Sequence, residues 1–167
     1  MDADFIIKHL GLKPHTGEGG FYRETYRSGE KYPFDGLPAR YQTEKEFSSA
    51  IYYLITPDSF SRLHRIITDE IFHFYLGDPV IMLRLYPDGS GETVTLGTDL
   101  RAGHCPQCIV PGGTWQGLML EKGGRWALMG TTVAPAFDFS DFELAVRQEL
   151  IEKYPDYAYL IRIMTQQ

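Results

Sequence analysis

The chain is 167 residues long with a formal net charge of −6, which argues against a phosphate-backbone partner, because such binding depends on a basic face that releases counterions. No apolar run approaches the ~18 residues of a membrane-spanning helix, and Met1-Asp2-Ala3-Asp4 lacks the basic opening of a signal peptide. Nucleic acid and membrane are therefore set aside, a cytoplasmic protein is expected, and 11 Tyr with 10 Phe favour a β-rich fold with one proper core.

In chain order, Asp2 or Asp4 caps a predicted helix to Leu10, with Phe5, Ile6 and Leu10 on one face and Gly11 as its stop. His15 lies in the turn-rich passage 14–20 and reads as a loop residue. In the strand that follows, alternation places Phe21, Arg23, Thr25 and Arg27 on one face and Tyr22, Glu24 and Tyr26 on the other. One of those faces is expected to line a polar cavity. Residues 29–46, with Pro33, Gly36 and Pro38, read as one long loop of the kind that serves as a lid or partner surface.

Ser48 to Ile55 is a continuous β-prone run that fits a strand buried on both faces, and Pro57 stops it. Further strands are expected at 61–67, 70–76, 80–86, 92–96, 108–110, 115–120 and 126–133, with a hairpin turn at 87–91. Phe139-Ser140-Asp141-Phe142-Glu143-Leu144 contains Ser-x-x-Glu, a capping box, and predicts a helix from Ser140 to about Tyr154, closed by Pro155. A last helical turn covers 159–164. No repeat and no domain boundary interrupts residues 1–167.

The only cysteines, Cys105 and Cys108, form Cys-Pro-Gln-Cys without the helix N-terminus of a redox site or the second pair of a zinc ribbon, so they read as incidental reduced thiols. The stretch 61–116 holds most of the residues able to do chemistry: His64, then Glu70 at the head of an aromatic strand, then Gly77, and later Pro111-Gly112-Gly113 followed by Gln116. These two runs resemble the paired motifs of the cupin superfamily, and the whole chain is similar to its cupin-5 family. The resemblance implies an all-β-dominated double-stranded β-helix, the cupin jelly roll, with a short N-terminal helix and a C-terminal helical cover. A homodimer is expected as well, with the Tyr22, Glu24, Tyr26 face and the chain-end helices as covers for the outer faces of the sheets, as cupin relatives commonly pair.

Metal-binding cupins place His-x-His before the glutamate and a further His after the second motif; here those positions hold Leu63, Arg65 and Gln116, with His64 between the first two. His73 is three residues from Glu70 along a strand, hence on the opposite face, and His104 has no acidic neighbour. Arg62-Leu63-His64 is loosely similar to the Arg-Gly-Leu-His motif of nucleotide-sugar 3,5-epimerases, jelly-roll enzymes that use a His base without metal. Two-residue spacing puts Arg62 beside His64 on one face of a strand, a cation next to an imidazole.

Three functions follow as expectations. The first is a metal-independent isomerase or epimerase of a small sugar-like or nucleotide-sugar-like ligand, with His64 as base, Glu70 orienting it, and Arg23, Glu24, Arg62 and Gln116 binding the ligand. The second is an enzyme dependent on a divalent metal ion held by His64, Glu70 and Gln116, a set weakened by its single imidazole. The third is a non-catalytic, storage-type jelly roll that binds a ligand without turnover.

Overall fold

The computed structural model describes residues 1–166. It opens with α1 (Ala3–Leu10), where the Asp2 carboxylate accepts from the Phe5 N–H at 2.9 Å and Gly11 closes the last turn in the left-handed region. The face that docks is narrow: Ile6, with Leu12, packs on Leu54, Trp126 and Leu128. Phe5, about 100° round the helix from Ile6, stays exposed and stacks on His9 instead.

Thirteen strands follow among the described residues: β1 (Lys13–Pro14), β2 (Phe21–Arg27), β3 (Lys31–Tyr32), β4 (Lys45–Glu46), β5 (Ser49–Ile55), β6 (Ser61–Ile66), β7 (Glu70–Gly77), β8 (Val80–Leu85), β9 (Gly91–Leu96), β10 (Gln107–Val110), β11 (Trp115–Leu120), β12 (Ala127–Val133) and β13 (Phe142–Leu144). The chain closes with α2 (Arg147–Lys153) and α3 (Ala158–Met164). One sheet runs β1-β2-β5-β12-β7-β10 and the facing sheet β13-β6-β11-β8-β9, every ladder antiparallel. Together they form the expected jelly roll, and a small β3-β4 ladder stands apart.

Alternation decides which side chains fill the space between the sheets. Along β7, Glu70, Phe72 and Phe74 point inward and Ile71 and His73 outward, so Phe72 and Phe74 join Tyr53, Met82, Leu118 and Met129 in the core. Each such side chain contributes roughly 1.5–3 kcal/mol by leaving water. At the end of β7 the chain turns on Gly77 with φ 107°, where a Cβ would lie 2.4 Å from the Trp126 carbonyl oxygen, so only glycine fits. The core occupies the half of the barrel toward Ile55 and Ala127. The other half, toward Ser49 and Val133, is open.

Two expectations are corrected. Residues 29–46 are not one loop: they contain β3, a 3-10 turn at Phe34–Gly36, and β4. The capping-box helix from Ser140 does not form. Ser140 sits in a 3-10 turn, Phe139–Asp141, and donates its N–H and hydroxyl to Asp138 Oδ1 at 2.7 and 2.6 Å. Phe142 to Leu144 then pair with β6, and helix begins only at Arg147. An edge of the second sheet needed a partner, and that long-range ladder outweighs a local cap of about 1 kcal/mol. α2 and α3 cover the outside of this sheet through Leu150, Tyr154, Ile161 and Met164 against Leu63, Leu83, Leu85 and Trp115.

Candidate functional site

The inner wall of the open half is set by an irregularity in β6. His64 pairs with Gln116 and Ser61 with Leu118, so three steps on β6 oppose two on β11, a bulge at Arg62 and Leu63. Leu63 goes to the helices and His64 turns into the barrel. Arg62 consequently does not share a face with His64. Its guanidinium donates to the Gly17 carbonyl and its N–H to the Glu18 carbonyl, so it ties down the loop 15–20 instead of facing the cavity.

Glu70 begins β7 after a tight turn in which Asp69 Oδ1 accepts the Gly112 N–H at 2.8 Å. A Cβ on Gly112 would stand 2.4 Å from the Ile67 carbonyl oxygen, which is why the second motif carries glycine where it passes the first. The neighbours β6 and β11 of one sheet and β7 of the facing sheet bring His64, Gln116 and Glu70 together, all buried. Gln116 Nε2 donates to Glu70 Oε2 at 2.6 Å and lies 3.4 Å from His64 Nε2. Gln116 Oε1 has no partner, although the residue is 0% exposed.

His64 Nδ1 is 2.8 Å from the Arg62 carbonyl oxygen. A carbonyl only accepts, so Nδ1 carries the hydrogen and, in the neutral ring, Nε2 is left as the acceptor. That lone pair faces the long Gln116 contact and Glu18 Oε2 at 3.9 Å. The Phe142 ring stacks on the imidazole with centroids 5.2 Å apart. Burial, followed by repulsion from Glu18, holds the Glu70 carboxyl above its ordinary range, against the opposing pull of His64 and the Gln116 hydrogen bond.

His64, Glu70, Glu18 and Phe142 face a cavity of about 590 Å³, with Gln116 behind its wall. Ile51, Ile66, Val133, Phe137, Phe139 and Phe142 form its apolar walls, and Glu18, Glu24, Glu46, Asp138 and Arg27 its polar rim. The face of β2 that lines it differs from strict alternation, because Glu24 opposes Ile51 while Tyr26 opposes Ala50, leaving Thr25 as a bulge. That bulge carries Arg27 to the side of Tyr22 and Glu24, where it contacts Glu24 at 2.8 Å and Glu46 at 3.2 Å. Arg23 is outside the cavity lining, with its guanidinium over the Tyr52 ring at 5.5 Å.

His15, Glu18 and Arg27 line the cavity although the sequence did not mark them as site residues. His15 is buried, accepts the Glu18 N–H on Nδ1 at 2.8 Å and packs on Tyr22, while Glu18 Oε1 accepts from Ser61 at 2.5 Å. Only His-x-x-Glu in a glycine-rich turn could have hinted at this. His73 lies on the outer face beside Gln107 and Thr132 and stacks on Tyr75. His104 is half-buried against Gly97, and both thiols are free, with Cys108 Sγ 3.6 Å from Met82 Sδ.

Cupins of the metal-binding kind imply a divalent ion at this place. Among the described residues no three His, Cys, Asp or Glu side chains gather to hold one. His64, Glu70 and Gln116 offer one imidazole, one carboxylate and one amide oxygen, a poor fit to an ion that gains from several imidazoles. No helix among the described residues is long and apolar enough to cross a membrane.

Known proteins share the sequence and the fold. "Uncharacterized protein YML079W" of Saccharomyces cerevisiae is 33% identical over 145 residues, 81% of this chain and 68% of its own length. A structure described as a hypothetical protein from Leishmania major superposes with a TM-score of 0.88 at 31% identity, covering 100% of both chains. Oxalate decarboxylase from Bacillus subtilis shares the fold alone, with a TM-score of 0.54 at 12% identity over 87% of this chain and 35% of that one. The cupin-5 family model, Cupin superfamily (DUF985), matches residues 4–145, and the chain belongs to that family.

Proposed function

We propose that the barrel binds a small polar, sugar-like ligand and that His64 acts there as a proton-transfer base without a metal ion, in an isomerase- or epimerase-like reaction. The observation that carries this reading is the Nδ1 bond to the Arg62 carbonyl, which leaves Nε2 as the acceptor nitrogen at the inner wall of the cavity, held only by the long 3.4 Å Gln116 contact. A ligand with an acidic proton next to a carbonyl would lose it to Nε2. Glu18 at 3.9 Å and the nearby Glu70 would stabilise the imidazolium that forms, and Gln116 would position both. Glu24 would bind the ligand at the rim, whereas Arg23 and Arg62, which face away from the cavity, would act only through the strands they brace.

The test is proton exchange. Ligand recovered from purified protein, or chosen by a binding screen, is incubated in deuterium oxide with wild type and His64→Gln, and deuterium at one carbon is followed by NMR. Wash-in by wild type and none by the variant is expected; no wash-in while the ligand stays bound favours the storage-type reading. The divalent-metal reading draws on the fold shared with cupin enzymes. A homodimer is also proposed, supported by Tyr75 and Ile109, exposed on the outer face of β7 and β10 at 44% and 53%.

A further inference from the structure

Resting on the reading of the cavity as a ligand site, the charges facing it narrow what it takes. Glu18, Glu24, Glu46, Glu70 and Asp138 line the space with one arginine, Arg27. Five acids less one base leaves a formal −4, and −3 with Glu70 neutral. Arg27 is already engaged: Nε and Nη2 donate to Glu24, Nη1 to Glu46 and Nη2 to the Phe137 carbonyl at 3.1 Å. A further cation beside the rim, Lys45, is 2.8 Å from Asp141 and 4.0 Å from Asp138. Arg23 and Arg62, the side chains that would hold an anion, are turned elsewhere.

A further observation points to a ligand rather than to an acidic patch. Phe142, Phe137, Phe139 and Tyr22 give the same space aromatic walls, and Glu70 is held in the wall by the Gln116 amide nitrogen behind it at 2.6 Å. Carboxylates ask for N–H and O–H donors, and aromatic faces attract cations and the C–H faces of rings.

We infer that the cavity takes a small amine-bearing polar molecule with one apolar face, of the amino-sugar kind, and rejects phosphorylated or nucleotide-linked sugars. A phosphate brought into the rim meets uncompensated carboxylates, and Arg27, the one arginine or lysine among the lining residues, is already paired.

The experiment compares glucosamine, glucose and glucose 1-phosphate by protein-observed NMR titration at low salt. Glucosamine should bind about tenfold or more tightly than glucose 1-phosphate, with glucose between, as several like charges in a partly closed site require. The variant carrying Glu24→Gln and Glu46→Gln frees Arg27 and removes two charges, so the preference should shrink or invert. Glucose 1-phosphate binding as well as glucosamine to wild type overturns the amine inference and leaves the cavity reading intact. Failure of glucosamine to bind also overturns it. Binding that persists unchanged in Ile51→Trp, which fills the space, overturns the cavity reading itself.

Discussion

Lys45 and Asp141 provide a test of how the cavity wall is held. Lys45 in β4 is 2% exposed, its Nζ lies 2.8 Å from Asp141 Oδ2, and the Asp141 side chain is 6% exposed. The contact is bent too far to be a hydrogen bond, so attraction between charges holds it. It links the 29–46 segment to the turn that carries Phe139 and Phe142 into the cavity, alongside the Ala136 N–H bond to the Glu46 carbonyl at 2.9 Å. Asp141→Ala strands an ammonium away from water, which costs about 3–5 kcal/mol when a buried partner is removed. Asp138, 4.0 Å away and half exposed, gives partial relief, so the lower end is expected. Lys45→Met strands the carboxylate at similar cost. The pair Lys45→Met with Asp141→Leu leaves no buried charge and should be near neutral, a coupling of several kcal/mol. Urea unfolding of the four proteins measures it. Single losses below about 1 kcal/mol, or losses that add in the double variant, would refute the view that this ion pair sustains the wall.

Glu70 gives a pH prediction. Its folded pKa is raised, mainly by burial, so its contribution to stability is full below the unfolded carboxylate pKa and is lost as pH rises through the folded value. Thermal unfolding from pH 4 to 7 should therefore show Glu70→Gln with a flatter decline than wild type; parallel curves count against it. Titration with Mn, Fe, Ni and Zn should give no stoichiometric site of micromolar affinity, and such a site lost in His64→Gln would sink the metal-free reading. Sedimentation at micromolar concentration should give about twice 19.1 kDa, and Tyr75→Glu with Ile109→Glu should shift it toward one chain. A wild-type monomer excludes the dimer.

Strand order along the chain was legible because alternation and glycine or proline turns are local signals. Trp115–Leu120 was read to the residue and Glu70 was placed at its strand's start. Facing was legible only where the ladder is regular. The bulges at Thr25 and at Arg62–Leu63 reverse the side chains beyond them, and nothing in either run alone announces an extra residue. The Ser140 capping box failed for a related reason, since its Phe142–Leu144 segment gains more from a ladder with β6 than from its own helix. Glu70 and Gln116 were singled out by motif spacing, and His64 as the one histidine between Leu63 and Arg65, where the spacing places the pair; the fold brings the three side chains together. His15 and Glu18 reach the same place from a loop 46 residues before His64 in the case of Glu18, a proximity that only the fold creates.

The central claim is that His64 holds Nε2 as its acceptor nitrogen at the cavity wall, with the long 3.4 Å Gln116 amide contact as its hydrogen-bond partner. Long-range nitrogen-proton NMR of the imidazole rings, with His64 assigned by its loss in His64→Gln, reads the tautomer directly. The neutral ring is expected to carry its hydrogen on Nδ1, donated to the Arg62 carbonyl, and the Nε2 resonance should move when a cavity ligand binds. A neutral ring protonated on Nε2, or an Nε2 resonance indifferent to bound ligand, would contradict the account.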